Sequence, residues 1–134
     1  MSYKYLLDTN ICIYIINQKP KYVFEKFEQY TPGEIAISSI TACELAFGVE
    51  KSNSSKNKDA LMKFLTPLDI LPFDDSVIWH YARVRQHLQS KGMPIGSLDL
   101  LIAAHALSLG IPLVSNNTKE FERVDGLYLE NWIK

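Results

Sequence analysis

The sequence predicts an α/β fold, a three-layer sandwich in which a mostly parallel central sheet is flanked by helices. Short apolar runs of strand character alternate with longer stretches of helical period along the chain. A length of 134 residues suits one domain, residues 1–134, with a real hydrophobic core. No internal repeat points to a solenoid instead.

Tyr5-Leu6-Leu7 reads as a first strand ending at Asp8. Ile11, Tyr14 and Ile15 then have the i, i+3, i+4 spacing of a helix that Asp8 or Thr9 can cap. A second helix is expected over 21–29, with Val23, Phe24 and Phe27 on one face and Thr31-Pro32-Gly33 as its break. Ile35-Ala36-Ile37 is the second strand, followed at once by a helical run over 41–49. Residues 51–58 are polar and repetitive, which predicts an exposed loop. A helix around 60–65 leads to a third strand at Ile70-Leu71-Pro72-Phe73, where the proline indicates an edge or strand end.

Asp75 or Ser76 can cap a long helix carrying Val77, Tyr81, Val84 and Leu88 and closed by Gly92. Ser97 can cap the next helix, over 98–109, and Gly110 stops it. A fourth strand is expected over 111–115 and a fifth over 127–129.

Composition removes several classes of function. An apolar share of 47% is that of a globular protein rather than a disordered one. Fourteen basic and fifteen acidic residues leave a formal charge of -1, far from the basic balance of a protein that holds nucleic acid by bulk electrostatics. Any nucleic-acid contact must come from a local patch. Cys12 and Cys43 make no disulfide framework and read as two reduced, buried thiols. The N-terminus lacks the apolar stretch of a signal peptide, and no run approaches the ~18 residues that cross a bilayer. The expectation is a soluble, cytoplasmic protein.

Ligands of open α/β sheets bind beyond the carboxyl ends of the strands. Asp8 follows strand one, Glu44 lies early in the helix after strand two, and Glu120 comes just past strand four. Asp99 opens the helix before strand four, and joins the others only if that helix begins at the same rim. Each has a plainer explanation. Asp8 can be a helix cap, Glu44 can complete a capping box with Thr41, Asp99 can complement a helix dipole, and Glu120 can be a surface acid.

Together they carry a different meaning. Carboxylates gathered in one cleft repel and resist ionising unless a cation sits among them. Mg²⁺ or Mn²⁺ accepts all-oxygen ligands and retains water, the nucleophile for phosphodiester hydrolysis. No His pair or Cys cluster offers a zinc site. His105, in a run of Leu, Ile and Ala, reads as a hydrogen-bonded packing residue, and Trp79 and Trp132 as core or interface residues. Glycine-rich phosphate loops and a Gly-x-Ser-x-Gly elbow are both absent.

Four segments, in order across nearly the whole chain, resemble the PIN-domain ribonucleases, and within them the VapC toxins of bacterial toxin–antitoxin pairs. They are Leu7-Asp8-Thr9-Asn10, then Ser38-Ser39-Ile40-Thr41 with Glu44-Leu45 and Gly48, then Pro94-Ile95-Gly96 with Asp99, Ile102-Ala103 and Ala106, and last Asn116-Asn117-Thr118-Lys119-Glu120-Phe121. The resemblance implies a PIN fold, dependence on Mg²⁺ or Mn²⁺, and endonucleolytic cleavage of RNA. It also implies a homodimer and a small antitoxin that plugs the active-site groove. By motif, Asp8 and Asp99 are the principal metal ligands and Glu44 completes the site or orients water. Glu120 takes the fourth acidic place, often Asp in the family, and Asn117 can share it, with Thr9 as a further supporting polar residue. The last segment is similar to a subgroup linked with transfer-RNA cleavage, initiator tRNA included.

Lys51, Lys56, Lys58, Lys119 and Arg123 are candidates for holding the RNA backbone, against the plainer reading of solvated surface charges. Three other functions are open to the same residues. A receiver-like module phosphorylated on aspartate fits poorly, because strand one ends in a single Asp and no Lys closes a fifth strand. A catalytically idle RNA-binding or regulatory protein has the intact acid set against it. A DNA-directed nuclease would use the same carboxylate chemistry.

Overall fold

The computed structural model describes residues 3–134. Five strands form one sheet in the order β3-β2-β1-β4-β5, and every pairing is parallel. They are β1 (Tyr5–Leu7), β2 (Ile35–Ser38), β3 (Asp69–Leu71), β4 (Leu113–Val114) and β5 (Leu129–Glu130). Between them run α1 (Thr9–Asn17), α2 (Lys21–Glu28), α3 (Ser39–Ser52), α4 (Ser55–Leu65), α5 (Ile78–Ser90), α6 (Ser97–Leu109) and the short α7 (Thr118–Phe121).

Successive side chains of a strand point to opposite faces, and a sheet covered on both sides needs apolar residues on both. Leu6, Ala36 and Leu113 accordingly pack with Leu88, Leu100, Ile102, Ala103 and Phe121, beneath α5, α6 and α7. Leu7, Ile35, Ile37 and Val114 pack with Ile11, Ile15, Val23, Leu45, Leu61 and Phe64, beneath α1 to α4. Two apolar layers thus hold the sheet between two helical ones. The parallel register places the C-terminal ends of β1, β2 and β4 along one edge of the sandwich.

Local chemistry accounts for most helix ends and corrects several expectations. Asp8 caps α1, accepting from the Thr9 N–H at 2.8 Å, and Gln18 closes that helix in the left-handed region at φ 56°. Ser38, not Thr41, caps α3, so Thr41 lies inside the helix and no Thr41–Glu44 capping box forms. The plain structural explanation of Glu44 is thereby removed, and the adjacent Cys43, expected to be buried like Cys12, lies on the exposed side of α3.

The expected loop over 51–58 is mostly helical. Lys51 lies in the last turn of α3, while Lys56 and Lys58 lie in the first turn of α4. Asn53 adopts φ 50° and donates its N–H to Val49 and Glu50 carbonyls, and Ser54 then caps α4 through the Asn57 N–H. Two residues suited to a left-handed cap and an N-cap are enough to turn the chain, so the polar composition marks solvent exposure rather than loss of helix.

The third strand sits two residues earlier at its end than expected, yet occupies the sheet edge as Pro72 indicated. The cap before α5 is Asp74, through Ser76, ahead of a 3-10 turn over Asp75–Val77. Ser97 is the first residue of α6, and Gly96 occupies its cap position without a side-chain bond. Among the described residues no helix is long and apolar enough to cross a membrane.

Candidate active site

Asp8 leaves the end of β1 almost fully buried, at 3% exposure. Its Oδ1 accepts from Thr9 N–H, and its Oδ2 accepts from the Ser115 hydroxyl at 2.8 Å. Ser115 is itself buried just past β4, and its Oγ accepts from the Asn117 N–H at 3.0 Å. The Asn117 amide Nδ2 then donates to two carboxylates, Asp99 Oδ2 at 3.0 Å and Glu120 Oε2 at 2.8 Å. Glu120 also accepts, at 3.3 Å, from the Gly96 N–H at the head of α6. One hydrogen-bonded chain therefore runs from Asp8 through Ser115 and Asn117 to Asp99 and Glu120. The open question about Asp99 is answered: α6 begins at the rim where β1 and β4 end.

Glu44, half-buried on α3, acts on Asp8 through its charge. It also lines a groove of about 580 Å³ between α1, α3 and α4, together with Leu45, Lys56 and Leu61. Thr9, expected as a supporting polar residue, contributes its backbone N–H to Asp8, while its Oγ1 is buried without a partner.

The electrostatics follow from crowding. Burial raises the Asp8 carboxyl above its ordinary range, the Ser115 and Thr9 donors pull it back, and Glu44 pushes it up again. Asp99 is raised to about 7, first by burial and then by hydrogen bonding with Glu120 and the charges of Asp8 and Glu120. Glu120, largely in water, is lowered by its bonds with Asp99 and Asn117. A pocket that makes a carboxylate this reluctant to ionise favours a positive guest. Among the described residues no three His, Cys, Asp or Glu side chains cluster tightly enough to cage an ion unaided.

The PIN domain family matches residues 5–127. The chain belongs to the PIN domain family. This PIN domain is 43% identical to the tRNA(fMet)-specific endonuclease VapC of Shigella flexneri, over 96% of the chain and 98% of that protein. It is 45% identical to ribonuclease VapC2 of Rickettsia felis, over 97% of the chain and 98% of that protein. Its fold is similar to VapBC2 from Rickettsia felis bound to a DNA fragment from the promoter, with a TM-score of 0.90 and 44% identity over 96% of this chain and 98% of that one.

Not every expected residue of the PIN domain joins the acidic cluster. Arg123 is half-buried and braces the loop before α6, donating to the Pro94 carbonyl at 3.1 Å, so its guanidinium is engaged with protein. Lys51, Lys56, Lys58 and Lys119 are exposed. Trp132 is buried, stacked on Tyr30 and edge-on to Tyr5, whereas Trp79 is 70% exposed. Ser115 was not singled out from the sequence. The signal available was a polar residue closing an apolar strand, two positions before Asn117, where its hydroxyl faces the rim.

Proposed function

We propose that this PIN domain, residues 1–134, is a divalent-metal-dependent endoribonuclease, the toxin of a type II toxin–antitoxin pair, which hydrolyses RNA phosphodiester bonds and so inhibits translation. The observation that carries the site assignment is the Asp8–Ser115–Asn117–Asp99 chain, which joins the buried Asp8 to the half-buried Asp99, distant in sequence, at one rim. We place the protein in the cytoplasm, as a homodimer. Its substrate in this reading is a transfer RNA, initiator tRNA included, as supported by the name of the Shigella flexneri relative. Its partner is a small antitoxin protein, as supported by the VapBC assembly from Rickettsia felis.

The residues present fit Mg²⁺ or Mn²⁺. All donors are oxygens, and the elevation of Asp99 is the response expected of an acid that would be ionised by a neighbouring dication. Because Mg²⁺ keeps several waters, Asp8 and Asp99 can hold it without a complete protein cage. A divalent ion there supplies an activated water and offsets charge developing on the phosphate.

The protein groups do the rest. Ser115 and the Thr9 N–H fix the two oxygens of Asp8, and Asn117 fixes the rotamers of Asp99 and Glu120. Glu44 and Glu120, at the sides of the pair, orient water. In this reading Lys56, which lines the same groove as Glu44, and Lys119, next to Glu120 in the chain, hold the RNA backbone.

The purified protein is expected to cut transfer RNA with Mg²⁺ present and to stop when the metal is chelated with EDTA. Cleavage unaffected by EDTA would reject the metal assignment. A DNA strand of the same sequence, left intact, separates the reading from a DNA nuclease, and cleavage of neither would favour an idle RNA-binding protein.

Ser115→Ala offers a finer check. Loss of the hydroxyl removes one of the two bonds that hold the Asp8 carboxyl down, so its pKa rises further. The acidic limb of the pH–rate profile should move to higher pH, with a loss of about tenfold in rate near neutrality. A profile unchanged in position would separate Ser115 from the chemistry.

A further inference from the structure

The acidic cluster draws on two helices from opposite faces of the sheet. Asp99 belongs to α6, whose packing partners lie in one apolar layer, and Glu44 to α3, whose Leu45 lies in the other. The hydrophobic effect is non-directional and does not by itself aim a side chain at a partner across the sheet. Metal ligands need tighter placement, within ~0.5 Å. Something directional should tie α3 to α6.

Ser38 and His105 do so. Both are buried, they are 67 residues apart in sequence, and the Ser38 Oγ lies 2.8 Å from His105 Nδ1. Ser38 closes β2 and caps α3, its oxygen accepting from the Ile40 N–H at 3.0 Å. That bond uses one lone pair of the hydroxyl oxygen and leaves the other lone pair and the proton for His105, so one hydrogen bond joins the side chains in either tautomer of the ring. Burial disfavours the charged ring and lowers the pKa of His105, with the charge of Asp74 opposing this. The same knot includes the neighbouring serine, since Ser39 Oγ accepts from the Phe73 N–H at 3.0 Å, and the Phe73 ring stands edge-on to His105 at 5.5 Å. Along their helices, Asp99 lies roughly 9 Å from His105 and Glu44 roughly 9 Å from Ser38, at a rise of ~1.5 Å per residue. The bond therefore joins the roots of the two arms that bear these carboxylates.

We infer that His105 and Ser38 are positioning residues for the metal site, a buried hydrogen bond that sets the distance between Glu44 on α3 and Asp99 on α6. This inference rests on the metal-dependent nuclease reading above. Neither residue touches substrate or ion; each acts through the helix it holds.

The test is titration of the full-length protein with Mn²⁺ alone, followed by electron paramagnetic resonance, beside steady-state RNA cleavage. His105→Leu, which keeps the volume and leaves the Ser38–Ile40 bond in place, should weaken Mn²⁺ binding about tenfold, the range seen when supporting bonds around metal ligands are lost. It should also lower kcat while KM for RNA stays constant. His105→Asn returns an amide, with both an acceptor and a donor, near the position of Nδ1 and should restore wild-type affinity. Ser38→Ala should match His105→Leu or exceed it, and the double variant should bind no more weakly than Ser38→Ala, because the shared bond is lost only once. A folded Ser38→Ala with wild-type affinity, an Asn variant as weak as the Leu variant, or additive losses would each overturn the inference. Wild-type protein that binds Mn²⁺ but leaves RNA intact would sink the nuclease reading instead, with the comparison of affinities still deciding this one. Wild-type protein that fails to bind Mn²⁺ would overturn both.

Discussion

Asp99→Asn is expected to abolish RNA cleavage while making the metal-free protein more stable near neutral pH. The two effects share one cause. Asp99 in the folded chain ionises only at about 7, against 3.8 for an unperturbed group, because burial, Glu120 and Asp8 all oppose its charge. The folded state therefore binds this proton more tightly than the unfolded chain does. Stability from this group is fully present below the unfolded pKa and is lost as pH rises through the folded one. At about pH 8 the metal-free wild type carries an ionised, crowded Asp99, whereas Asn is neutral at every pH. Since Asp99 is half-exposed, solvent screening cuts the gain to about 1 kcal/mol, or roughly 4 °C in Tm.

Mg²⁺ should raise the Tm of the wild type at that pH and leave the variant unmoved, because the variant lacks the ligand. The accompanying loss of cleavage should be about a thousandfold, the equivalent of several kcal/mol of transition-state stabilisation. A variant that still responds to Mg²⁺ in a melting experiment, or cuts RNA at an undiminished rate, would remove Asp99 from the site. Asp8→Asn should lose cleavage to a similar degree.

Phe121→Ala should have the largest effect on stability. Phe121 is fully buried, heads the buried side chains by size, and packs beneath α6 with Leu100, Ala103 and Leu113. Truncation of a buried Phe costs about 3–5 kcal/mol in lost transfer energy and residual cavity. A protein of this size has only about 5–15 kcal/mol to lose. A drop of roughly 15 °C in Tm follows, readable by calorimetry or circular dichroism. Phe121→Leu should lose far less, since it fills most of the space.

The consequence extends to chemistry, because Phe121 anchors the four-residue α7, which carries Glu120 and is preceded by Asn117. At a temperature where the alanine variant is still folded, its metal-induced rise in Tm should be smaller than that of the wild type. An unchanged melting temperature would mean that α7 is not seated on the core as described.

Much of this was legible in the chain itself, and the legible part is the local part. Apolar runs after which an acid appears at once, as at Leu7-Asp8, placed Asp8 at a strand end before any fold was built. Helix stops at Gly110 and the edge position of the strand before Pro72 also follow from single residues. The errors were local competitions with near-equal candidates. Thr41 and Ser38, Ser97 and Gly96, or Asp75 and Asp74 can each serve as a cap, and sequence spacing does not rank them. Over 51–58 the sequence suggests a loop where the structure is mostly helical, because polarity reports exposure, and an exposed helix is as polar as a loop.

The sequence by itself determined the alternation of strands and helices, the carboxylates next to strand and helix ends, and the family resemblance carried by four ordered segments. Only the tertiary structure decided that Asp8 meets Ser115, 107 positions away, that Asn117 bridges Asp99 and Glu120, and that Ser38 meets His105. Caps and strand ends depend on backbone groups within a few residues, which spacing records. Contacts between distant residues depend on the order in which parallel strands are laid side by side and on which helix packs over which, and neither leaves a periodic mark in the chain.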